Sequence, residues 1–232
     1  MAEKIRYTRR DLKGPDEFLT TFGRAVAWAR ENRLRVGAGA LAVVAVFALV
    51  LGTRAYLQWK ENKADRVLWP HLIGAREFLQ SPGEATPEKL ASLEQFLASQ
   101  ISMHPKTRAA MYAHYYRGSI AFLRGNYDLS AAQFRAGIDT GKAAGILEYL
   151  LRQGVAEALE AQGDFTGAAA AYRKAAEVAQ PEMKSQSMLG EARVLALSGK
   201  KAEAAVLYRQ VLRESPETKS RDLIEIQLAQ LE

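Results

Sequence analysis

Few side chains in this sequence could do chemistry, and they do not cluster. None of the three histidines, His71, His104 and His114, has a second metal-ligating side chain three or four positions away. Glu157 and Glu160 share a helical turn, but acids on an exposed helix face are usually solvated. The absence of cysteine excludes thiolate nucleophiles and cysteine-bound zinc. We therefore predict no catalytic residue, no metal site and no cofactor, and we expect that the protein is not an enzyme.

The net charge of +6 is unevenly distributed. Residues 1–35 hold nine Lys and Arg against five acids, whereas residues 53–232 hold 23 against 21. Because most of the chain is almost neutral, the composition does not indicate a nucleic-acid-binding surface. The excess of basic residues describes the N-terminal tail alone.

The most apolar segment is Val36–Gly52, which contains no charged residue and no polar side chain. Its length as a helix, about 26 Å, approaches the about 30 Å of a bilayer core, and apolar neighbours extend it. Trp28, Tyr56 and Trp59 lie where interfacial aromatic residues are expected. A buried core helix would contain polar positions, and a cleaved signal peptide would have a much shorter charged region before it. We therefore predict one uncleaved transmembrane helix over residues 36–57.

The orientation of this helix follows from the basic residues around it. The flanks on both sides hold four Lys or Arg each, and the wider basic tail favours a cytoplasmic N-terminus. In a bacterium, the protein would then be a single-pass inner-membrane protein with its C-terminal region in the periplasm.

Residues 1–35 are predicted to be a basic cytosolic tail with an amphipathic helix beginning at Gly14-Pro15-Asp16-Glu17. Its apolar face consists of Phe18, Phe22, Val26 and Ala29. Two alternatives stay open. The helix lies among anionic lipid headgroups, or it simply continues into the membrane span.

Residues 58–110 are predicted to contain a polar linker helix and a degenerate first helical pair. The pair comprises Asp65–Gln80 and Pro87–Ile101, separated by Ser81-Pro82-Gly83. Phe96 occupies the aromatic position of this pair, by analogy with the repeats that follow.

An internal repeat occupies residues 111–216. Three turns, which begin at Gly125, Gly163 and Gly199, are 38 and 36 residues apart. An aromatic residue stands nine positions after each glycine, and small residues stand at fixed distances on either side. The predicted packing residues are Gly118, Gly125, Phe134, Ala156, Gly163, Ala168, Tyr172, Ala175, Ala192, Gly199, Ala204, Tyr208 and Pro216.

This arrangement resembles the tetratricopeptide repeat, whose two antiparallel helices need small residues where they cross and a bulky aromatic residue between units. The predicted fold class is therefore all-α, with a single N-terminal transmembrane helix followed by a helical solenoid. Residues 217–232 would form a C-terminal capping helix, and its Leu223, Ile226, Leu228 and Leu231 would cover the last repeat.

The architecture also resembles a more specific family, the ancillary subunits of the SecYEG translocon (YfgM-like). The stretch His104-Pro105-Lys106-Thr107, leading to Tyr112-Ala113 and Gly118, is similar to that family's entry into its first regular repeat. The resemblance implies an inner-membrane protein with a periplasmic repeat domain. It also implies two protein partners, the secretion channel and a membrane-anchored periplasmic chaperone of prolyl-isomerase type.

The predicted partner-binding groove is formed by the first helices of the three repeats. Its residues are Tyr112, Tyr115, Ser119 and Phe122, then Leu150, Gln153, Glu157 and Glu160, then Gln186, Leu189, Arg193 and Ala196. The first set is aromatic, the second acidic and the third mixed, which suits an extended or helical peptide. Alternatively, Tyr112, Tyr115 and Phe122 belong partly to the core. The lysine, asparagine and arginine residues by which related repeats bind acidic chaperone tails are absent here.

We therefore predict a membrane-anchored scaffold for protein–protein interaction that contacts membrane lipid and protein partners, with no nucleic acid. Its periplasmic repeats would assist partners at the secretion translocon. The alternative is a scaffold for cell-envelope assembly or division that is unrelated to translocation. No oligomeric state is predicted.

Overall fold

The computed structural model describes residues 17–81 and 86–231, and every regular element in these stretches is an α-helix. The prediction of an all-α chain is confirmed for this part. The helices are α1 Glu17–Glu31, α2 Arg33–Gln80, α3 Pro87–Met103, α4 Arg108–Leu123, α5 Tyr127–Asp139, α6 Gly145–Ala161, α7 Phe165–Val178, α8 Pro181–Leu197, α9 Lys201–Glu214 and α10 Arg221–Leu231. Residues 1–16 of the basic tail, the Pro82-Gly83 break and the side chain of Phe18 lie outside the described residues.

The chain divides into two units, residues 1–57 and 58–232. The described part of the first unit consists of α1 and the beginning of α2. Among the described helices, α2 alone is long and apolar enough to cross a membrane, by its length and composition. No residue of its most apolar stretch is buried in the protein. Large apolar side chains such as Leu41, Phe47 and Leu49 are exposed all around it.

Helical hydrogen bonding passes almost without interruption from α1 to α2. The Asn32 N–H donates to the Trp28 carbonyl at 2.9 Å, and the Val36 N–H donates to the Asn32 carbonyl at 2.9 Å. The Asn32 amide group also donates to the Trp28 carbonyl, at 3.0 Å. Helix α1 is therefore nearly continuous with α2, and the position of α1 relative to a membrane stays a prediction.

The second unit begins inside α2, which runs to Gln80 and corrects the predicted separate helix over Asp65–Gln80. The polar residues after the apolar segment, predicted only as a linker helix, also contact the repeats. The Glu61 carboxylate accepts a hydrogen bond from the Arg108 backbone N–H at 2.8 Å and pairs with Lys142 at 2.7 Å. Asp65 pairs with the Arg108 guanidinium at 2.6 Å. These contacts fix α2 to the start of α4 and to the loop before α6.

The first helical pair consists of the second part of α2 and α3. Its core contains Leu68, Leu72, Phe78 and Leu97, which pack against Ala109, Ala113 and Ile120 of α4. Phe96, the predicted aromatic residue of this pair, is half-buried and stacks on His71 with ring centroids 3.8 Å apart. The array of repeats therefore starts with this pair.

Three helical pairs follow, α4–α5, α6–α7 and α8–α9, with the same turn in each. Gly125, Gly163 and Gly199 have φ values of 75°, 82° and 83°, a conformation that glycine adopts without strain. The next residue caps the second helix in two of the three turns. Asn126 accepts from the Leu129 N–H at 3.2 Å and Asp164 from the Gly167 N–H at 2.9 Å, whereas Lys200 has no such bond.

Aromatic rings fill the space between successive units. The Phe134 ring lies against Gly118 of its own unit and Gly154 of the next, and Tyr172 lies against Gly190 of the next. The predicted packing residues Ala156, Ala168, Ala175, Ala192, Ala204 and Tyr208 are buried. Pro216 is exposed instead, and its carbonyl accepts hydrogen bonds from Arg221 at 2.8 and 3.2 Å.

The C-terminal helix α10 covers the last repeat with Leu228 and Leu231, as predicted, and with Ile224, which was not predicted. Ile224 is fully buried, and Leu228 and Leu231 pack beside it on the core of the repeats. Leu223 and Ile226 are 59% and 55% exposed, which corrects their predicted role in covering the last repeat. The spacing of 224, 228 and 231 is itself helical, so the contact with α9 selected one of two adjacent apolar stripes.

Candidate functional site

The candidate site is the face formed by the first helix of each pair, which we call the first-helix face. It comprises α2 from Gln58 onward, then α4, α6 and α8. Neighbouring first helices interact directly through side chains, and their polar groups form two connected clusters, one around Glu160 and one around Glu157.

Arg193 of α8 neutralises Glu160 of α6. The guanidinium donates to both carboxylate oxygens at 2.7 Å, and the Tyr172 hydroxyl donates to the Oε2 atom at 2.6 Å. Burial alone would raise the pKa of Glu160, but these hydrogen bonds outweigh burial and lower the pKa. Burial, and then the bond to Glu160, raise the pKa of Tyr172, and the bond to Glu160 raises the pKa of Arg193. Three hydrogen bonds, two from Arg193 and one from Tyr172, therefore favour the ionised form of Glu160.

Glu157, one turn earlier, lies in a different environment. The buried Ser187 hydroxyl of α8 donates to Gln153 at 2.8 Å, and the Gln153 amide donates to the Glu157 carboxylate at 3.0 Å. Within the described chain, Glu157 forms no ion pair. Burial raises its pKa, and the charge of Glu160 adds to this effect. The expectation that both acids are simply solvated is therefore wrong, since both are half-buried and hydrogen-bonded.

Aromatic side chains lie beside this acidic cluster. The Tyr112 ring of α4 is 5.3 Å from Trp69 of α2, and Tyr115 contacts Tyr116 edge-on at 5.4 Å. Burial raises the pKa of Tyr115, and the charge of Glu157 raises it further. Tyr115 belongs to α4, which lies between Trp69 of α2 and the acidic cluster of α6 in the order of the first helices.

The repeat geometry agrees with a comparison of the sequence to known families. The family model described as tetratricopeptide repeat matches residues 90–145 and 155–217. This chain belongs to the tetratricopeptide repeat family. No curated protein matches the chain. The tetratricopeptide match confirms the predicted repeats, and its first segment begins within α3, inside the pair that the sequence indicated as degenerate.

The structure brings only part of the predicted groove together on this tetratricopeptide array. Gln153, Glu157, Glu160 and Arg193 form the linked clusters described above. Ser119 donates to the carbonyl of Tyr115 at 3.0 Å, and Leu189 packs partly into the core. Tyr112 and Tyr115 are half-buried, so the alternative that they belong partly to the core also holds for them. Phe122 contacts Tyr127 at the turn, with centroids 5.3 Å apart.

The sequence analysis missed several residues that belong to the first-helix face or contact it. Trp69 and Ile73 were not predicted because they belong to the degenerate pair, yet they are 51% and 64% exposed, one helical turn apart. Tyr172 was predicted only for packing, although its hydroxyl also binds Glu160. Gly154 and Gly190 recur 36 residues apart, and that spacing could have identified them as packing positions.

The histidines have local structural contacts. His71 stacks on Phe96, His114 bonds to Gln133 at 2.8 Å, and His104 ends α3. In the described residues, no group of three His, Asp or Glu side chains converges as metal ligands would. The prediction that the protein is not an enzyme stays a prediction.

Proposed function

We propose that this protein is a membrane-anchored scaffold whose first-helix face binds partner proteins. Tetratricopeptide repeats are protein-interaction modules, and α2 carries both the apolar segment and the first helix of the array. Anchoring would raise the local concentration of the repeats beside membrane-bound partners. The observation that carries the proposal is the exposed apolar pair Trp69 and Ile73 on α2, of which Trp69 lies 5.3 Å from the Tyr112 ring of α4.

Site-specific crosslinking tests the binding face. A photoreactive phenylalanine analogue at Ile73 should give discrete adducts in intact membranes, because Ile73 is exposed on the first-helix face. The matched control is the same analogue at Lys174, which is exposed on the second helix α7. Equal adduct patterns from both positions, or none from Ile73, would refute binding at this face.

The proposed topology has a cytoplasmic N-terminus and periplasmic repeats, in a bacterial inner membrane. The basic tail and the resemblance to ancillary translocon subunits support it. Since the chain has no cysteine, Ser198→Cys and Thr21→Cys each introduce a single thiol at an exposed position. A membrane-impermeant maleimide should label Ser198→Cys in intact cells and Thr21→Cys only after lysis. The reverse pattern would place the repeats in the cytoplasm.

The more specific role, assistance to partners at the secretion channel, is supported by the family resemblance alone. Mass spectrometry of the Ile73 adducts distinguishes it from the alternative. Channel subunits and a prolyl-isomerase-type chaperone would support the translocon role. Components of the cell-wall or division machinery would support an envelope-assembly scaffold instead.

A further inference from the structure

We propose that the first-helix face binds an extended protein segment that carries a lysine or arginine, and that Glu157 receives this basic side chain. The inference rests on the proposed function, because it identifies the chemistry of the partner at the same face. The expected partner segment is basic, whereas related repeat arrays that bind acidic chaperone tails do so with basic residues of their own.

The charge balance of the cluster is the first argument. Two carboxylates, Glu157 and Glu160, face one guanidinium, and Arg193 is already engaged by both oxygens of Glu160. Glu157 keeps a single hydrogen bond, from the neutral amide of Gln153, within the described chain. Arg193 acts on Glu157 through its charge but pairs directly with Glu160 instead. A half-buried carboxylate that pairs directly with no cation destabilises the folded chain, so a cation from a partner would stabilise it.

The aromatic side chains beside Glu157 are the second argument. Tyr115 is half-buried on α4, and its ring centroid is 6.1 Å from that of Phe134, which packs against Gly154, one turn before Glu157 on α6. Burial and the charge of Glu157 both raise the pKa of Tyr115. A tyrosine ring in the vicinity of a carboxylate suits the apolar stem and the charged head of a lysine or arginine. The same negative charge disfavours a phosphate or an acidic segment at this position.

The distance to the exposed apolar pair sets the pattern of the partner segment. Trp69 and Ile73 belong to α2, and Glu157 belongs to α6, with α4 between them. Two helix-to-helix steps of about 8–10 Å each span about 16–20 Å, which corresponds to about five or six residues of extended chain. The segment should therefore carry a bulky apolar residue and a basic residue about five or six positions apart.

Selection of short random peptides displayed on phage tests this inference. The bait is the full-length protein in lipid nanodiscs, beside two single variants. Glu157→Gln removes the proposed charge and can still accept the bond from Gln153. Glu177→Gln removes the same charge from an exposed site on the second helix α7 and is the matched control.

We expect peptides with the apolar–basic spacing on the unmodified protein and on Glu177→Gln. A selected synthetic peptide should bind Glu157→Gln about tenfold more weakly, the effect of losing one charge-assisted hydrogen bond. Replacing the lysine of the peptide by glutamine should weaken binding to the unmodified protein by the same factor. Combining this peptide with Glu157→Gln should weaken binding little more than either change alone.

The outcomes separate this inference from the proposed function. Peptides that lose affinity with Ile73→Ser but not with Glu157→Gln would overturn the basic-residue inference and leave the binding face intact. Selected peptides without a basic residue would do the same. If no sequence is enriched on the unmodified protein, the inference is overturned, and the Ile73 crosslinking experiment then decides the proposed function separately.

Discussion

Replacing Gly154 with alanine tests how an aromatic ring is held between two successive repeats. A Cβ atom at Gly154 would lie 2.6 Å from the Cε2 atom of Phe134, and one at Gly118 would lie 2.8 Å from the Cε1 atom. The ring is buried and has a helix backbone on both edges. It therefore has no room to move away from a methyl group at Gly154 without approaching Gly118.

The magnitude follows from two opposing effects. Alanine stabilises a helix by about 1 kcal/mol relative to glycine, whereas overpacking a close contact destabilises by about 1–3 kcal/mol. Gly74 of α2 is the matched control, because a Cβ atom there would meet nothing within 4 Å. Gly74→Ala should show the helix effect alone, so the difference between the two variants should be about 1–3 kcal/mol, with Gly154→Ala the less stable.

Thermal unfolding of the full chain in detergent, followed by circular dichroism, measures the difference. Each kcal/mol should shift the midpoint by about 2–4 °C for a domain of this size. Phe134→Leu in the Gly154→Ala background should recover part of the overpacking effect, because a smaller side chain leaves room for the methyl group. Equal stabilisation by Gly154→Ala and Gly74→Ala would refute the idea of a ring held on both sides.

Further predictions concern the ionised groups, a helix cap and the terminal helix. Glu157→Gln should raise the free energy of unfolding at neutral pH, because burial raises the pKa of Glu157 and its ionised form destabilises the folded chain. Urea titrations at several pH values measure this gain in stability, which should vanish below the usual carboxyl pKa of 4.5. The gain should grow as the pH rises through the higher pKa of the folded state, and then level off. A gain that does not depend on pH would contradict the reasoning. Arg193→Met should destabilise by roughly 1 kcal/mol, since the pair it breaks is partly exposed, and most of this loss should return in a double variant with Glu160→Gln. Lys200→Asp should stabilise the folded chain by about 0.5–1 kcal/mol, because aspartate would supply the helix cap that α9 lacks. An unchanged unfolding midpoint would mean that the backbone there does not fit a cap. Ile224→Ala should cost about 2–4 kcal/mol and expose α10 to limited proteolysis, whereas Leu223→Ala, at an exposed position, should do neither.

Some features of the protein follow from local sequence alone. The apolar segment Val36–Gly52 contains no charged or polar side chain, and that composition does not depend on any distant contact. The turns at Gly125, Gly163 and Gly199 are also local, because each needs a residue that accepts a positive φ. The period of these turns and the aromatic residues that follow them predict the repeats without reference to any distant contact.

Other features depended on contacts between residues far apart in sequence. Glu157 and Glu160 stand three positions apart on one helix, but Arg193, 33 residues beyond Glu160, pairs with only one of them. Similarly, α10 offers two adjacent apolar stripes, and its position against α9 buries Ile224 rather than Leu223.

The same reason explains why Trp69 and Ile73 were missed. Apolar residues four positions apart occur in many helices, and only the contact of Trp69 with Tyr112 on the neighbouring helix shows where the Trp69 ring lies. Local sequence determines backbone conformation and the period of the repeat, because both depend on steric and hydrogen-bonding effects within a few residues. The choice of which charge is neutralised and which apolar stripe stays exposed belongs to the tertiary structure, because it depends on where the next helix packs.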